Sequence, residues 1–414
     1  MRFLMTGSAA LLCASTLVTA EKPHAALKGV KAPHGGAISV SYLRPAPDYV
    51  VTYTTGEGVE PTNRGRIIVW RRGSLFRQLE ERAASKRGSD IKSEAHYSNI
   101  ATGASASGII RGAEERSWFN FHRETKATRD WYRYQLVRTG ETRTIAGERC
   151  TIWRAEPIGE KGRVSTGLPR RACLTSDGIV LYDAWLSDNG EAAGERTATK
   201  IERSPIPLSE VLPPIEATDW SMWRARAGES LQEFRGRPIN YDLELSRTGT
   251  NLDLPDAPDR QRSRAAGGWF LGESWLRGEL RGLSLRHSSG AVALSYSPDS
   301  LHILYSPPRQ PTAVVGTDDA PIESAPTSVL GEECRWFNAA KGVSDYWRTE
   351  CRTADGLALI VHENSWGNEY PELRATSLSR GETSLKDLRP PASVVGWAAW
   401  GWPELEGRSK RAKK

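Results

Sequence analysis

The chain has 414 residues, a formal net charge of +6, 38% hydrophobic residues and 26% charged residues. Outside its N-terminal residues it has no run of about 18 apolar residues, which excludes a protein that crosses a membrane with several helices. Its 15 tryptophans and 12 tyrosines need burial or a partner, which excludes a wholly disordered chain.

Residues 1–20 have the pattern of a secretory signal peptide. Arg2 supplies the positive charge, an apolar stretch follows, and Val18-Thr19-Ala20 is a small-residue cleavage motif. The sequence therefore predicts export to the periplasm and a mature chain that starts near Glu21. An anchor helix that is not cleaved is the alternative. Residues 21–46, rich in proline and glycine, are predicted to form a flexible leader.

The chain after the leader is rich in short segments typical of β-strands. A short helix is predicted at Ser74–Ala84, because its apolar residues recur at helical spacing. The small-residue segment Gly103–Gly108 is predicted to be a loop. The predicted strands, in chain order, are Tyr49–Tyr53, Arg66–Trp70, Ser117–His122, Trp131–Arg138, Ala198–Arg203, Tyr241–Leu245, Ala291–Tyr296, Leu301–Tyr305 and Ala375–Arg380.

The sequence repeats itself at matched offsets. The motif [IV]-[AL]-G-E-x-C ends at Cys150 and again at Cys334, and C-x-T-x-D-G-[IL]-x-L begins at Cys173 and again at Cys351. This predicts two homologous domains, over 47–228 and 229–402, followed by a basic tail at 403–414. Further matches at the same offsets are Ala198–Arg203 with Ala375–Arg380, Pro213–Pro214 with Pro390–Pro391, and Trp220 and Trp223 with Trp397 and Trp400.

The cysteines predict one disulfide in each copy. Without Cys13 of the signal peptide the chain has an even number, which in an exported protein indicates disulfides. Four cysteines allow three connectivities, and the repeat selects Cys150–Cys173 and Cys334–Cys351. In each copy a strand that begins after a tight glycine turn would carry the first cysteine. The next strand would carry the second, before an Asp-Gly hairpin turn.

These motifs resemble those of small exported bacterial proteins whose sheets fold like the LolA/LolB lipoprotein carriers. The resemblance covers the later part of each copy. It implies a mainly β (α+β) fold of two tandem curved antiparallel sheets, or incomplete β-barrels, each with one disulfide and little helix. In that superfamily such a sheet wraps around an apolar cavity.

No residue pattern indicates catalysis or a bound metal. The seven histidines are scattered, and H-E-x-x-H, G-x-S-x-G and P-loop motifs are missing from the sequence. Asp177 and Asp355 occupy matched positions, but their glycine neighbours indicate turns. We therefore predict that the protein is not an enzyme and needs no cofactor. An enzyme acting on envelope polymers is the third hypothesis, which two carboxylates in one cleft would favour.

The positive charge is concentrated at the C-terminus. Five of the last seven residues are basic, and without them and Arg2 the chain is neutral, so a nucleic-acid partner is not expected. The tail is either a solvated end or a contact with anionic lipid. The tryptophan pairs either seal a barrel end or form a contact surface. The candidates for a weak membrane contact are Trp397, Trp400, Trp402, Lys410 and Arg411.

The sequence favours a noncatalytic periplasmic protein that holds or shuttles an amphiphilic molecule, such as a lipid or an acyl chain, in a concave β cavity. Arginine and tyrosine side chains at the rim would orient the headgroup. The alternative is a cell-envelope scaffold that binds a protein partner by strand addition, and a filled interior would favour it. The candidate ligand-lining residues are Trp118, Trp131, Trp269 and Trp275.

Overall fold

The computed structural model describes residues 37–39, 47–55, 65–82, 93–99, 101–110, 117–123, 134–157, 170–186, 190, 192–228, 240–248, 257–306, 321–322, 324–339, 346–365, 368–381 and 383–403. They form two compact units. Unit 1 takes in the described parts of Met1–Ala106, Arg123–Pro213 and Gly401–Lys414. Unit 2 takes in the described parts of Ser107–His122 and Pro214–Trp400.

The structure is mainly antiparallel β with few helices, which confirms the predicted fold class. The strands of the first half are β1 (Ala37–Ser39), β2 (Tyr49–Thr55), β3 (Gly65–Arg72), β4 (Leu75–Arg82), β5 (Ser93–Asn99), β6 (Ala104–Ile110), β7 (Ser117–His122), β8 (Tyr134–Ile145), β9 (Glu148–Pro157), β10 (Arg170–Leu174), β11 (Val180–Leu186) and β12 (Ala192–Glu202). The strands of the second half are β13 (Tyr241–Arg247), β14 (Arg260–Ala266), β15 (Trp269–Leu276), β16 (Glu279–His287), β17 (Val292–Ser297), β18 (Ser300–Tyr305), β19 (Thr327–Val329), β20 (Glu332–Asn338), β21 (Tyr346–Arg352), β22 (Ala358–Ser365), β23 (Asn368–Glu369) and β24 (Leu373–Arg380). The helices are short: α1 (Leu208–Val211), α2 (Trp220–Ala227) and α3 (Ala392–Val395), with 3₁₀ turns at Ile215–Thr218 and Trp397–Trp400.

The strand order is similar in the two units. In unit 1 the paired strands run β1-β8-β9-β10-β11-β12-β2-β3-β4-β5. In unit 2 they run β7-β18-β17-β16-β15-β14-β13-β24-β22-β21-β20. The opening strand of each half, β2 or β13, therefore lies between the strand after it and the last long strand of its half.

β7 belongs to the first half of the sequence, but it pairs with β18 inside unit 2. Each of the two is the sixth strand counted from the opening strand of its half, β2 or β13. The bounds of the compact units consequently differ from the predicted domain limits at 47–228 and 229–402. Those limits describe the repeat, and they stay a prediction.

The predicted helix at Ser74–Ala84 is wrong, because this segment forms β4. Gly73 has φ +55° and takes the first position of a two-residue hairpin turn, so that Arg72 pairs with Leu75. β4 then pairs with both β3 and β5. Sheet pairing on both edges overrides the helical spacing of the apolar residues.

The predicted loop at Gly103–Gly108 is also wrong, since Ala104–Ile110 is the strand β6. Ala104 and Ala106 are buried, whereas Ser105 and Ser107 between them are half-buried. This alternation is the period of a strand with one buried face. Its side chains are mostly small, so the strand lacks the large apolar residues on which strand prediction depends.

Both predicted disulfides are present, Cys150–Cys173 and Cys334–Cys351. Their Cα atoms lie 5.4 and 5.3 Å apart. All four cysteines are buried. Each unit has one hydrophobic cluster that contains both cysteines of its disulfide. Each bridge therefore joins two adjacent strands from inside a core.

The glycine turns before both first cysteines are confirmed. Ala146 and Gly147 have φ +50° and +80°, and Leu330 and Gly331 have φ +54° and +78°. Positive φ at both central residues is typical of a type I′ turn. The register is that of a two-residue hairpin in each case, because Ile145 pairs with Glu148 and Val329 pairs with Glu332.

The Asp-Gly dipeptides lie in hairpins, but not as two-residue turns. In unit 1 the loop between the paired strands is Thr175–Ile179. The amide of Ile179 donates to Thr175 Oγ1 at 2.9 Å, and that of Gly178 donates to the Thr175 carbonyl at 3.0 Å. The threonine side chain thus organises a longer loop, and Thr353 makes the same bonds to Leu357 and Gly356 in unit 2.

A Glu-Arg-Asp ion cluster recurs at the end of each last long strand. In unit 2, Arg380 donates from Nη1 to Glu332 at 2.7 Å and from Nε to Asp355 at 2.9 Å. In unit 1, Arg203 contacts Glu148 and Asp177 in the same way. Burial raises the pKa of both aspartates, but the threonine and arginine hydrogen bonds outweigh it and hold these pKa values below the ordinary range.

Replacing either arginine of these clusters, Arg203→Gln or Arg380→Gln, is expected to lower the free energy of unfolding by less than about 1 kcal/mol, because ion pairs exposed to water contribute little. The two arginine side chains are 37% and 36% exposed. Urea unfolding measures the effect, and Lys200→Gln, at a more exposed ion pair, is the control. A loss several times larger would show that the clusters hold the strand ends in place.

Candidate functional site

A row of small side chains crosses one face of the sheet in unit 2. Leu243 on β13 pairs with Ser263, which pairs with Gly272 on β15. Gly272 pairs with Ser284, and Ser284 pairs with Ser295 on β17. Cross-strand partners point to the same face, so this face has little side-chain bulk over four strands. The adjacent row, in which Gln261, Ser274 and Gly282 are paired, adds two more small residues.

A cavity of about 490 Å³ lies against these rows, inside unit 2. Its apolar wall includes Leu243, Leu245 and Phe270, together with Leu357 in the loop after β21 and Val361 on β22. Most ligand pockets have volumes of about 300–1,000 Å³ and a mainly apolar lining with a few polar groups. The volume therefore suits a small molecule, and the lining combines this apolar wall with a polar part that is slightly larger.

Three of the four charged residues that border the cavity are bound to partners of opposite charge, and the register places two of them, Arg262 and Glu273, on the opposite face of the sheet. Glu273 accepts a hydrogen bond from Arg264 at 2.6 Å. Arg348 donates to Glu350 at 2.7 Å. Burial raises the pKa of Glu350, but Arg348 and Arg352 outweigh it and hold this pKa below its ordinary value. Arg262, the next arginine of the wall, donates to Asp242 at 2.8 Å.

Arg286 differs from the other arginines of the wall. It lies on β16 opposite Phe270 and is exposed. Its guanidinium makes no hydrogen bond or ion pair with any residue that the structure describes. The side-chain hydroxyls of the cavity serines are likewise free of partners within the described ranges: Ser263, Ser274, Ser284 and Ser295.

The opposite face of the same strands is closed. Leu271, Leu285 and Leu294 are buried there. The ring of Trp269 lies 4.8 Å, between ring centroids, from those of Trp220 on α2 and of His287. The cavity thus lies on the face with the small residues.

The corresponding face of unit 1 has larger side chains. On this face Val51 pairs with Val69, Val69 with Gln78, and Gln78 with His96. Gln78 thus stands where unit 2 has Gly272. Beside it lies a buried ion cluster in which Arg170 and Arg196 both bind Asp183. Asp183 lies ten positions after Cys173, where unit 2 has Val361 ten positions after Cys351.

The ion cluster of unit 1 is almost completely shielded from water. Arg170, Asp183 and Arg196 are 7%, 5% and 8% exposed. Arg170 Nε donates to Asp183 at 3.0 Å, and Arg196 Nη1 donates to Gln78 at 3.2 Å. Burial alone would raise the pKa of Asp183, but the two guanidinium charges outweigh it and hold this pKa below its ordinary value. This part of unit 1 is therefore occupied by charged side chains that are paired with one another.

The structure does not bring the predicted ligand-lining tryptophans together around the cavity. Trp118 is half-buried on β7, and Trp269 is 2% exposed in the closed core. Trp275 is half-buried, with the Arg260 guanidinium 4.3 Å from its ring centroid. Trp131 lies outside the described residues. None of the three described rings lines the cavity, and their role in ligand binding stays a prediction.

The tryptophans predicted to contact a membrane are buried. Trp397, Trp400 and Trp402 are 8%, 1% and 3% exposed. Trp400 Nε1 donates to the Val394 carbonyl at 2.6 Å, and Trp397 Nε1 donates to Thr218 at 2.8 Å. A bilayer could reach these rings only if they left these positions. The accompanying residues Lys410 and Arg411 lie outside the described part of the chain, so the membrane contact stays a prediction.

No three histidine, cysteine, aspartate or glutamate side chains of the described residues are grouped so as to hold a metal ion. No described helix is long and apolar enough to cross a membrane.

No protein-family model matches the chain, and no curated protein matches it. Several solved structures are similar at low identity. A chain of the MucA/MucB complex of Pseudomonas aeruginosa is 12% identical, with 63% of this chain and 88% of that chain covered and a TM-score of 0.26. MucB alone is 11% identical over 66% and 90% of the two chains, with a TM-score of 0.26. PNGF-II is 11% identical over 81% and 92%, with a TM-score of 0.27.

Proposed function

We propose that the protein is a noncatalytic binding protein of the periplasm that holds one amphiphilic molecule, such as a lipid or an acyl chain, in the cavity of unit 2. The cavity with its row of small residues is the observation that carries this proposal. Its apolar wall would bury the hydrocarbon part, at about 25 cal/mol per Å² of surface removed from water. The predicted signal peptide and the two disulfides, which form in oxidising compartments, support the location.

We also propose that the two halves arose by duplication and that their roles have diverged. The recurring disulfide, glycine turn and ion cluster support the duplication. The difference between Gly272 in unit 2 and Gln78 in unit 1 supports the divergence, together with the Asp183 ion cluster. The expected stoichiometry is therefore one ligand per chain.

Native mass spectrometry of the mature protein, purified from periplasm, tests this function. A lipid adduct at one molecule per chain, released by organic extraction, would support it. A protein that stays free of ligand after incubation with an envelope lipid extract would contradict it.

Filling the cavity from the row of small residues should abolish ligand binding. Ser284→Leu adds a branched apolar side chain at a half-buried cavity position, where it would occupy the space of the ligand. The expected result in the same experiment is loss of the adduct with retention of the far-UV circular dichroism spectrum. Ser377→Leu, an identical change at an exposed position on β24, is the control and should keep the adduct. An adduct that survives Ser284→Leu would place the ligand elsewhere.

A second candidate function is a contact with a protein of the cell envelope. Three exposed large hydrophobic residues lie in or near the last strands of unit 2, namely Ile322, Leu330 and Trp347 at 41%, 51% and 41% exposure. Large exposed apolar side chains can mark interaction sites. Trp347 lies near the end of β20 opposite to the turn that holds Leu330, so each could contact a partner separately. A photo-crosslinking residue in place of Trp347 should capture a partner in periplasmic extract if this function is right, and none if it is wrong.

A further inference from the structure

We infer that the cavity of unit 2 selects an amphiphile whose head carries a phosphate or a carboxylate, and that Arg286 recognises this head. The inference rests on the proposed function, because it specifies the chemistry of the ligand for the same cavity.

The available groups favour an anionic oxygen ligand. The carboxylate of Glu273 is bound to Arg264, and the guanidinium groups of Arg262 and Arg348 are bound to carboxylates. Among the described residues, the groups that remain are the guanidinium of Arg286, the side-chain amide of Gln261 and the serine hydroxyls. A guanidinium donates paired hydrogen bonds to carboxylate or phosphate oxygens, and hydroxyls can add further donors.

The position of Arg286 also suits a ligand with two chemically different ends. Arg286 pairs across the sheet with Phe270, which packs against the hydrophobic cluster that contains Leu243 and Leu245. The charge therefore lies at the exposed side of the apolar wall. A head bound there leaves the hydrocarbon part along the leucines, where it is removed from water.

Three probes distinguish the sources of the binding energy: dodecyl phosphate, dodecyl maltoside below its critical micelle concentration, and inorganic phosphate. Isothermal titration calorimetry on the full mature protein measures their affinities. We expect dodecyl phosphate to bind about tenfold more tightly than dodecyl maltoside, because hydrogen bonds between charged groups are stronger than those to neutral hydroxyls. A tenfold change in affinity is about 1.4 kcal/mol. Inorganic phosphate should bind much more weakly than dodecyl phosphate, because it lacks the apolar part.

Arg286→Gln should remove this preference by weakening the binding of dodecyl phosphate about tenfold. Arg281→Gln, on the same strand but outside the cavity, is the matched control and should keep the preference. Equal binding of both amphiphiles by the wild-type protein, or a preference that survives Arg286→Gln, would overturn the inference while leaving the proposed function intact. Inorganic phosphate bound as tightly as dodecyl phosphate would overturn it as well. If neither amphiphile binds, the proposed function itself fails.

Discussion

Asp183→Ala is expected to lower the free energy of unfolding of unit 1 by about 3–5 kcal/mol, the usual cost of removing one partner from a buried ion pair. Arg170 and Arg196 are both at least nine-tenths buried and both bind this carboxylate. Without it, two positive charges stay close together in a region shielded from water. Hydrogen exchange of the β10–β12 amides, measured along a urea series, reports the loss inside unit 1.

A triple variant separates the cost of broken pairing from the value of the cluster itself. Arg170→Met, Asp183→Leu and Arg196→Met together replace all three charges by apolar groups of similar size. Such replacements are often neutral or stabilising in other proteins, because no buried charge is left without compensation. We expect the triple variant to be much more stable than Asp183→Ala. If Asp183→Ala alone costs less than about 1 kcal/mol, a value typical of exposed pairs, the cluster is accessible to water in solution.

Because of the same cluster, the free energy of unfolding of unit 1 should depend on pH in the acid range. The pKa of Asp183 is held below its ordinary value in the folded protein, so the folded state favours the ionised carboxylate. This contribution is complete above the pKa of the unfolded chain, about 3.9. It is lost as the pH falls through the lower folded pKa. Asp183→Asn should therefore be less stable than wild type at pH 7, and the difference should shrink below about pH 4.

The sequence was sufficient to predict those parts of the fold that depend on special residues. The type I′ turn at Gly147 needs positive φ, and the cysteines at matched offsets in two copies leave one consistent pairing. Strands with large apolar residues, such as β13 and β18, were also predicted. In each case the residue type and its spacing determine the local structure.

The rest depends on partners that are distant in the sequence. The strands β14 to β16 were not predicted, because their serines, glycines and arginines do not show a clear apolar alternation. The row from Ser263 to Ser295 becomes visible only when the register aligns four strands. The pairing of β7 with β18 also joins residues far apart in the chain. The cavity therefore could not be located from tryptophan positions, because Trp269 lies in the closed core and none of the described candidate tryptophans lines the cavity.

Removing the disulfide of unit 2 is expected to lower the free energy of unfolding by about 2–5 kcal/mol, the usual effect of losing a native disulfide in a small exported domain. The double variant Cys334→Ala/Cys351→Ala tests this, since alanine places no polar group in the buried site. The double variant Cys150→Ala/Cys173→Ala is the matched case in unit 1. The two bridges span 17 and 23 positions. Because the entropic effect depends on the logarithm of loop length, the two losses should agree within about 0.5 kcal/mol.

The two disulfide variants should differ in ligand binding even though they lose similar stability. Cys351 lies on β21, and the segment after it supplies Leu357 and Val361 to the cavity wall. Loss of the Cys334–Cys351 bridge frees this wall to move away from the row of small residues, so the adduct should weaken. Loss of the Cys150–Cys173 bridge acts on unit 1 and should leave the adduct intact under conditions where both variants are folded. Equal weakening in both variants would contradict a ligand site confined to unit 2, because a wall loosened in unit 1 alone leaves that cavity unchanged.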